Sequence, residues 1–117
     1  MLDGVRRLLE DEFQVVGTAQ DGQSLLAAAR TLAPDVIIAD ISMPILNGFQ
    51  AARQLKAASP SIKIIFLTVH EEWSVVTEAR GIGVDGYVIK RSAAQDLVPA
   101  IRAVLQGIPY VSPAIQQ

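Results

Sequence analysis

The chain has 117 residues, of which 50% are hydrophobic and 19% are charged, and its formal net charge is −2. This length suits one globular domain with a single core, and the small negative charge with scattered Lys and Arg residues argues against direct nucleic-acid binding. Cysteine is absent, which excludes disulfides and thiolate metal sites, and no apolar run has the length of a membrane span or the layout of a signal peptide. We therefore expect no membrane association and, by default, a cytoplasmic location.

Strand-like and helix-like patterns alternate along the chain. Apolar residues recur three or four apart in the helix-like segments, whereas the strand-like runs are rich in Val, Ile and Phe. This alternation predicts a parallel sheet with right-handed crossovers and helices on both faces. The predicted strands are FQVVGTA (13–19), DVIIAD (35–40), IKIIFLT (62–68) and GYVIK (86–90), and the predicted helices are 22–32, 46–58, 71–81 and 92–107, the last dented by Pro99.

Three of the predicted strands end in a polar side chain. Asp40 ends the second strand, Thr68 the third and Lys90 the fourth. In parallel sheets, ligands and reactions collect at the carboxyl ends of the strands. A carboxylate, a hydroxyl and an ammonium group should therefore meet at one edge of the sheet.

These residues, with SMPILNG after the acid, resemble the receiver domains of two-component response regulators. The LuxR-like subgroup is the most similar, because LTVHEE, GYVIKRSAAQDL and YVSP read like its members. The resemblance runs from about Val5 to the end of the chain and implies a flavodoxin-like, doubly wound α/β fold. It also implies a receiver domain over residues 1–107, with 108–117 beginning a linker to an output domain that is absent here.

The resemblance assigns roles to the residues at the strand ends. Asp40 would accept a phosphoryl group from a histidine kinase, Thr68 would hydrogen-bond the bound phosphoryl oxygen, and Lys90 would pair with its charge. Thr68 and Tyr87 would form the switch, with the aromatic ring turning inward. The surface of the last two helices would then mediate homodimerisation.

The resemblance also implies a magnesium site and a shaped loop next to Asp40. Asp40 and the backbone carbonyl of Ser42 would bind Mg²⁺, while Pro44 and Gly48 would shape the loop beneath. Receiver domains carry a further acidic pair at the end of a first strand, whereas this sequence begins with MLDGVRRLLEDEF, in the helix that follows that strand. We therefore expect Mg²⁺ binding, and with it phosphorylation, to be weak or absent in this chain.

The same comparison predicts an incomplete sheet. The expected strand order is 2-1-3-4-5, so the first strand would be a central one. The chain could be truncated, a partner chain could lend a strand, or the two neighbouring strands could pair directly. We expect four strands, with either strand exchange between chains or a rearranged sheet.

Other interpretations of these residues remain open. Asp40 could cap a helix, Thr68 could bond to its own backbone, and Lys90 could be a solvated surface residue. Two other functions also compete with phosphate reception. One is a phosphate-independent dimerisation domain, and the other is a haloacid-dehalogenase-like phosphatase, which needs an acid where this chain has Ser42.

Overall fold

The computed structural model of the protein describes residues 2–43 and 45–115, without the side chains of residues 2–4. Pro44, which was expected to shape the loop after Asp40, lies outside the described residues. None of the helices in the described ranges has the length and apolar character needed to cross a bilayer. The helices are α1 (Leu2–Glu10), α2 (Gly22–Leu32), α3 (Gly48–Ala58), α4 (Trp73–Gly81) and α5 (Ala93–Leu105), and the strands are β1 (Val36–Ala39), β2 (Lys63–Thr68), β3 (Gly86–Ile89) and β4 (Tyr110–Val111).

The four strands form one parallel sheet in the order β1-β2-β3-β4. Ala39 pairs with Phe66, and Thr68 pairs with Ile89, so the three longer strands end at the same edge. A parallel α/β fold with four strands is therefore confirmed. The boundaries of the predicted helices also agree to within a few residues, and α5 continues through Pro99.

Both faces of the sheet are covered by helices, as the apolar runs predicted. Ile64 and Phe66 face a cluster that includes residues of α3 and α4, whereas Ile65 and Leu67 face the opposite cluster, formed with α1 and α5. Successive strand residues point to opposite faces, so a run of buried residues needs helices on each side. Burying side chains of this size contributes about 1.5–3 kcal/mol each.

The prediction of a strand at residues 13–19 is wrong. None of these residues is in a strand, and they do not pair with β1, so the direct pairing of the two neighbouring strands does not occur either. In the expected order this segment pairs only with the first strand, and the described residues contain no strand at that position. A strand-like sequence without a hydrogen-bonding partner does not form a strand.

The fourth strand comes from the opposite end of the chain. Tyr110 and Val111 pair with β3, within the segment that was expected to begin a linker. Ser112 is buried, and its hydroxyl accepts a hydrogen bond of 3.1 Å from the backbone nitrogen of Ile89. Ile115 is buried against the same core. Residues 110–115 therefore pack onto the sheet.

A partly buried ion pair links α3 to the sheet. Lys56 Nζ lies 2.8 Å from Asp85 Oδ2 and also donates to the carbonyl of Ile62. The same carboxylate oxygen accepts a hydrogen bond from the backbone nitrogen of Ile64 at 2.9 Å. Asp85 therefore satisfies a charged side chain and a buried strand donor together.

We expect Asp85→Ala to lower the free energy of unfolding by about 2–4 kcal/mol, because it removes the counter-charge of the partly buried Lys56 and leaves the Ile64 N–H without its acceptor. Urea denaturation followed by circular dichroism measures the change. Asp11→Ala, at an exposed position just after α1, is the matched control and should shift stability by less than about 0.5 kcal/mol. Equal effects of the two substitutions would contradict this account of the ion pair.

Candidate functional site

Asp40 and Lys90 meet at the carboxyl edge of the sheet, as predicted. Lys90 Nζ lies 2.5 Å from Asp40 Oδ2, although the two residues are 50 positions apart in the chain. The backbone nitrogen of Ser42 donates to Asp40 Oδ1 at 3.0 Å. The side chains of Lys90 and Asp40 remain 24% and 30% exposed, so the pair is accessible to a molecule in solution. Charge-assisted hydrogen bonds of this kind hold a carboxylate in a defined orientation.

Thr68 lies at the same edge but makes a different contact. Its side chain is fully buried, and Oγ1 accepts a hydrogen bond from the backbone nitrogen of His70 at 3.2 Å. No hydrogen bond joins Thr68 to Asp40 or Lys90. The structure therefore brings the carboxylate and the ammonium into contact and places the hydroxyl at the next strand end, bonded to its own loop.

Tyr87 is directed into the protein. Its side chain is 2% exposed, and the phenol oxygen donates to the backbone carbonyl of His70 at 2.8 Å. Burial, helped by the negative charge of Glu72, raises the pKa of Tyr87 to about 12. His70 thus joins both expected switch residues through its backbone, a role that sequence reasoning missed because backbone groups carry no residue-type signal.

A second ion pair joins the loop after β2 to the turn after β3. Arg91 donates two hydrogen bonds to the carboxylate of Glu71, from Nε at 2.9 Å and from Nη2 at 2.8 Å. This bidentate bond lowers the pKa of Glu71 below its usual value. Sequence reasoning also missed this pair, because the two residues are 20 positions apart and neither belongs to the strand-end trio.

The loop after Asp40 requires a glycine at Gly48. A side chain there would bring its Cβ within 2.5 Å of the carbonyl oxygen of Asp40. The backbone nitrogen of Gly48 donates to Ile41 at 2.8 Å, and Asn47 caps α3 through a reciprocal pair of hydrogen bonds with Gln50. The expectation that Gly48 shapes the loop beneath the acid agrees with this close approach.

The described residues supply only part of a magnesium site. Mg²⁺ commonly binds through one or two carboxylates together with waters and phosphate oxygens. Among the described side chains, no group of three or more His, Asp or Glu residues could hold a metal ion. Asp40 offers a carboxylate, but each of its oxygens already accepts a hydrogen bond, and Ser42 offers a candidate carbonyl. These donors do not by themselves form a complete site.

The two tyrosines provide a test of this packing. Burial is the main cause that raises the pKa of both Tyr87 and Tyr110 to about 12, compared with about 10 in an unfolded chain. Between these pH values the unfolded state loses phenolic protons and the native state keeps them, so stability should fall as pH rises from about 10 to 12. Ultraviolet absorbance of tyrosinate, recorded as a function of pH, measures the pKa of the tyrosines in the folded protein. The substitution Tyr110→Phe leaves only the signal of Tyr87. Ionisation of Tyr87 near pH 10 in folded protein would contradict its buried position.

Comparisons with known proteins agree with the geometry of the site. The family model described as "Response regulator receiver domain" matches residues 1–102. The response regulator GacA of Pseudomonas aeruginosa is 40% identical over 116 residues, which cover 97% of this chain and 54% of GacA. This chain spans about half the length of the curated relatives it matches.

Two solved structures have the same fold. A LuxR-family two-component response regulator from Aurantimonas sp. SI85-9A1 superposes with a TM-score of 0.92 at 32% identity, covering 97% of this chain and 82% of that one. The isolated REC domain of RcsB from Salmonella enterica serovar Typhimurium, solved with the phosphomimetic BeF3-, gives 0.88 at 28% identity, covering 97% and 86%. With the strand-end residues and the family match, these similarities show that the chain belongs to the response regulator receiver domains and is of the LuxR-like kind found in two-component transcriptional regulators.

Proposed function

We propose that Asp40 accepts a phosphoryl group from a phosphohistidine of a histidine kinase. The observation that carries the proposal is the contact between Lys90 Nζ and Asp40 Oδ2 at an accessible edge of the sheet. A carboxylate oxygen would attack phosphorus, the P–N bond would break, and its electron pair would leave with the kinase imidazole. Phosphoryl transfer needs mainly positioning and charge stabilisation, and Lys90 supplies a cation at the acceptor.

Thr68 and Tyr87 would pass the phosphorylation signal to the surface. A phosphoryl group brings about two negative charges and new acceptor oxygens. The hydroxyl of Thr68 would donate a hydrogen bond to a phosphoryl oxygen, and the movement of this side chain would break the bond that its Oγ1 accepts from the His70 nitrogen. The carbonyl of His70 also accepts the hydrogen bond from Tyr87. Movement of His70 would therefore change the hydrogen bond that positions the aromatic ring of Tyr87. The two switch residues would thus act through one loop residue.

The remaining expectations from the family complete the proposal. Receiver domains generally use Mg²⁺ for phosphorylation, and Asp40 with the Ser42 carbonyl would contribute to its binding here. The domain, expected over residues 1–107, would also include residues 110–115, which pack onto the sheet, and it would precede a linker to an output domain. It would form homodimers through the surface of α4 and α5, next to which Ile108 is 53% exposed.

A second candidate function is a phosphate-independent dimerisation domain. The partial set of metal ligands favours it, because the described side chains include no group of three or more His, Asp or Glu residues that could hold a metal ion. In that case Lys90 would neutralise Asp40 permanently. The two candidates differ in whether Asp40 forms a covalent adduct.

Incubation with acetyl phosphate and Mg²⁺, followed by intact mass spectrometry, should reveal a single phosphoryl adduct. Asp40→Asn should abolish the adduct because the amide is a poor nucleophile. Asp35→Asn, at the opposite end of the same strand, is the matched control and should retain the adduct. The absence of an adduct in the unsubstituted protein would favour the dimerisation domain.

Lys90→Ala should slow adduct formation by about 100-fold, because it removes a cation that stabilises charge in the transition state. Asp40 would keep its bond with the Ser42 nitrogen, so the acceptor remains in position. The rate is measured from the time course of the adduct by intact mass. Lys63→Ala, at the amino end of β2, should leave the rate unchanged. An unaltered rate of adduct formation in Lys90→Ala would show that Lys90 does not stabilise the transition state.

A further inference from the structure

The backbone nitrogen of Ile89, at the carboxyl end of β3, is bonded to a side chain. It donates to the hydroxyl oxygen of Ser112 at 3.1 Å, and both groups are buried. β4 pairs with β3 only through Tyr110 and Val111. The carbonyl of Ser112 accepts a hydrogen bond from the nitrogen of Ile115 at 3.0 Å, where the chain turns away from the sheet. The hydroxyl of Ser112 therefore takes the place that a strand carbonyl would have in a longer ladder.

Ser112 contacts β3 through its backbone as well. Its nitrogen donates to the carbonyl of Tyr87 at 2.9 Å. The residue is 1% exposed, so both of its bonds with β3 are shielded from solvent. Ser112 thus holds β3 at the expected switch residue and again at the residue that precedes Lys90.

The backbone of Ile89 is the base from which Lys90 reaches the acceptor. On one side Ile89 pairs with Thr68 of β2, and on the other side its nitrogen meets Ser112. Lys90 follows directly and begins a short 3₁₀ turn, and its Nζ lies 2.5 Å from Asp40 Oδ2. The position of the ammonium group therefore depends on where this strand end is fixed.

The contacts on the two sides of Lys90 differ in exposure. Arg91, on the far side, is bonded to Glu71, but the two side chains are 59% and 42% exposed. An exposed ion pair holds its partners weakly, because water and salt compete for both charges. The bond between Ile89 and Ser112 is buried, so it is the stronger constraint on the backbone next to Lys90.

We propose that Ser112 is a positioning residue for phosphoryl transfer and that it acts through Lys90. Its hydroxyl fixes the carboxyl end of β3, and the fixed backbone keeps the ammonium group against the carboxylate of Asp40. The inference rests on the proposed function of Asp40 as the phosphoacceptor. Placement matters because a displacement of about 1 Å in a catalytic group can change a rate by about 100-fold.

Ser112→Ala removes the acceptor of the Ile89 N–H with little change in side-chain size. With acetyl phosphate and Mg²⁺, formation of the Asp40 adduct should slow by about tenfold. Asp85→Ala is the matched control, because it also deprives a strand N–H of its side-chain acceptor, but at the amino end of β3. The control should change the rate by less than about twofold at a temperature where circular dichroism shows both variants folded. Equal slowing in the two variants would overturn the proposal, because it would reflect general destabilisation.

A double substitution shows whether Ser112 acts through Lys90. In Lys90→Ala there is no ammonium group to position, so adding Ser112→Ala should slow the reaction further by less than about twofold. If the second substitution instead slowed it by the full factor seen in the unsubstituted background, Ser112 would act by another route and the proposal would be wrong.

The placement of Lys90 can also be measured without a phosphate donor. NMR order parameters of the Cε groups of isotope-labelled lysines report side-chain motion on the picosecond to nanosecond timescale. Ser112→Ala should lower the order parameter of Lys90, whereas that of Lys56, which is bonded to Asp85, should not change. An unchanged order parameter of Lys90 would overturn the inference. The absence of an adduct in the unsubstituted protein would instead count against the phosphoacceptor function, and the order parameters would still decide whether Ser112 positions Lys90.

Discussion

The parallel pairing of β1, β2 and β3 is the constraint on which the site depends. Their register ends the strands at one edge, so residues far apart in sequence follow them into a common space. Asp40 and Lys90 meet there across 50 positions. Helices on both faces bury β2 and β3 and leave the strand ends as the accessible part of the sheet.

The acceptor Asp40 follows the terminal strand of the described sheet. In the part of the chain that the structure describes, β2 and β3 have a strand on each side, whereas β1 has one only on the side of β2. The carboxylate of Asp40 is fixed by Lys90 and Ser42 at the end of this edge strand.

Local patterns predicted much of the fold, and their failures have a common cause. The helices were evident because their apolar spacing and caps lie within the segments themselves, as with Asp21 before α2. The run at 13–19 has strand composition but no partner, and the two-residue strand at Tyr110 is too short to show a period. Strand formation depends on a neighbour that the local sequence does not contain.

The sequence by itself determined the class of fold and the three residue types at the strand ends. Hydrophobic periodicity and strand-end motifs depend only on residues that are close together in the chain. Only the tertiary structure decided that Lys90 bonds Asp40, that Thr68 bonds the backbone of His70 instead, and that Tyr87 points inward. It also decided that Tyr110 and Val111 pair with β3. These outcomes depend on contacts between distant segments, and distance in space follows from packing and register rather than from residue order.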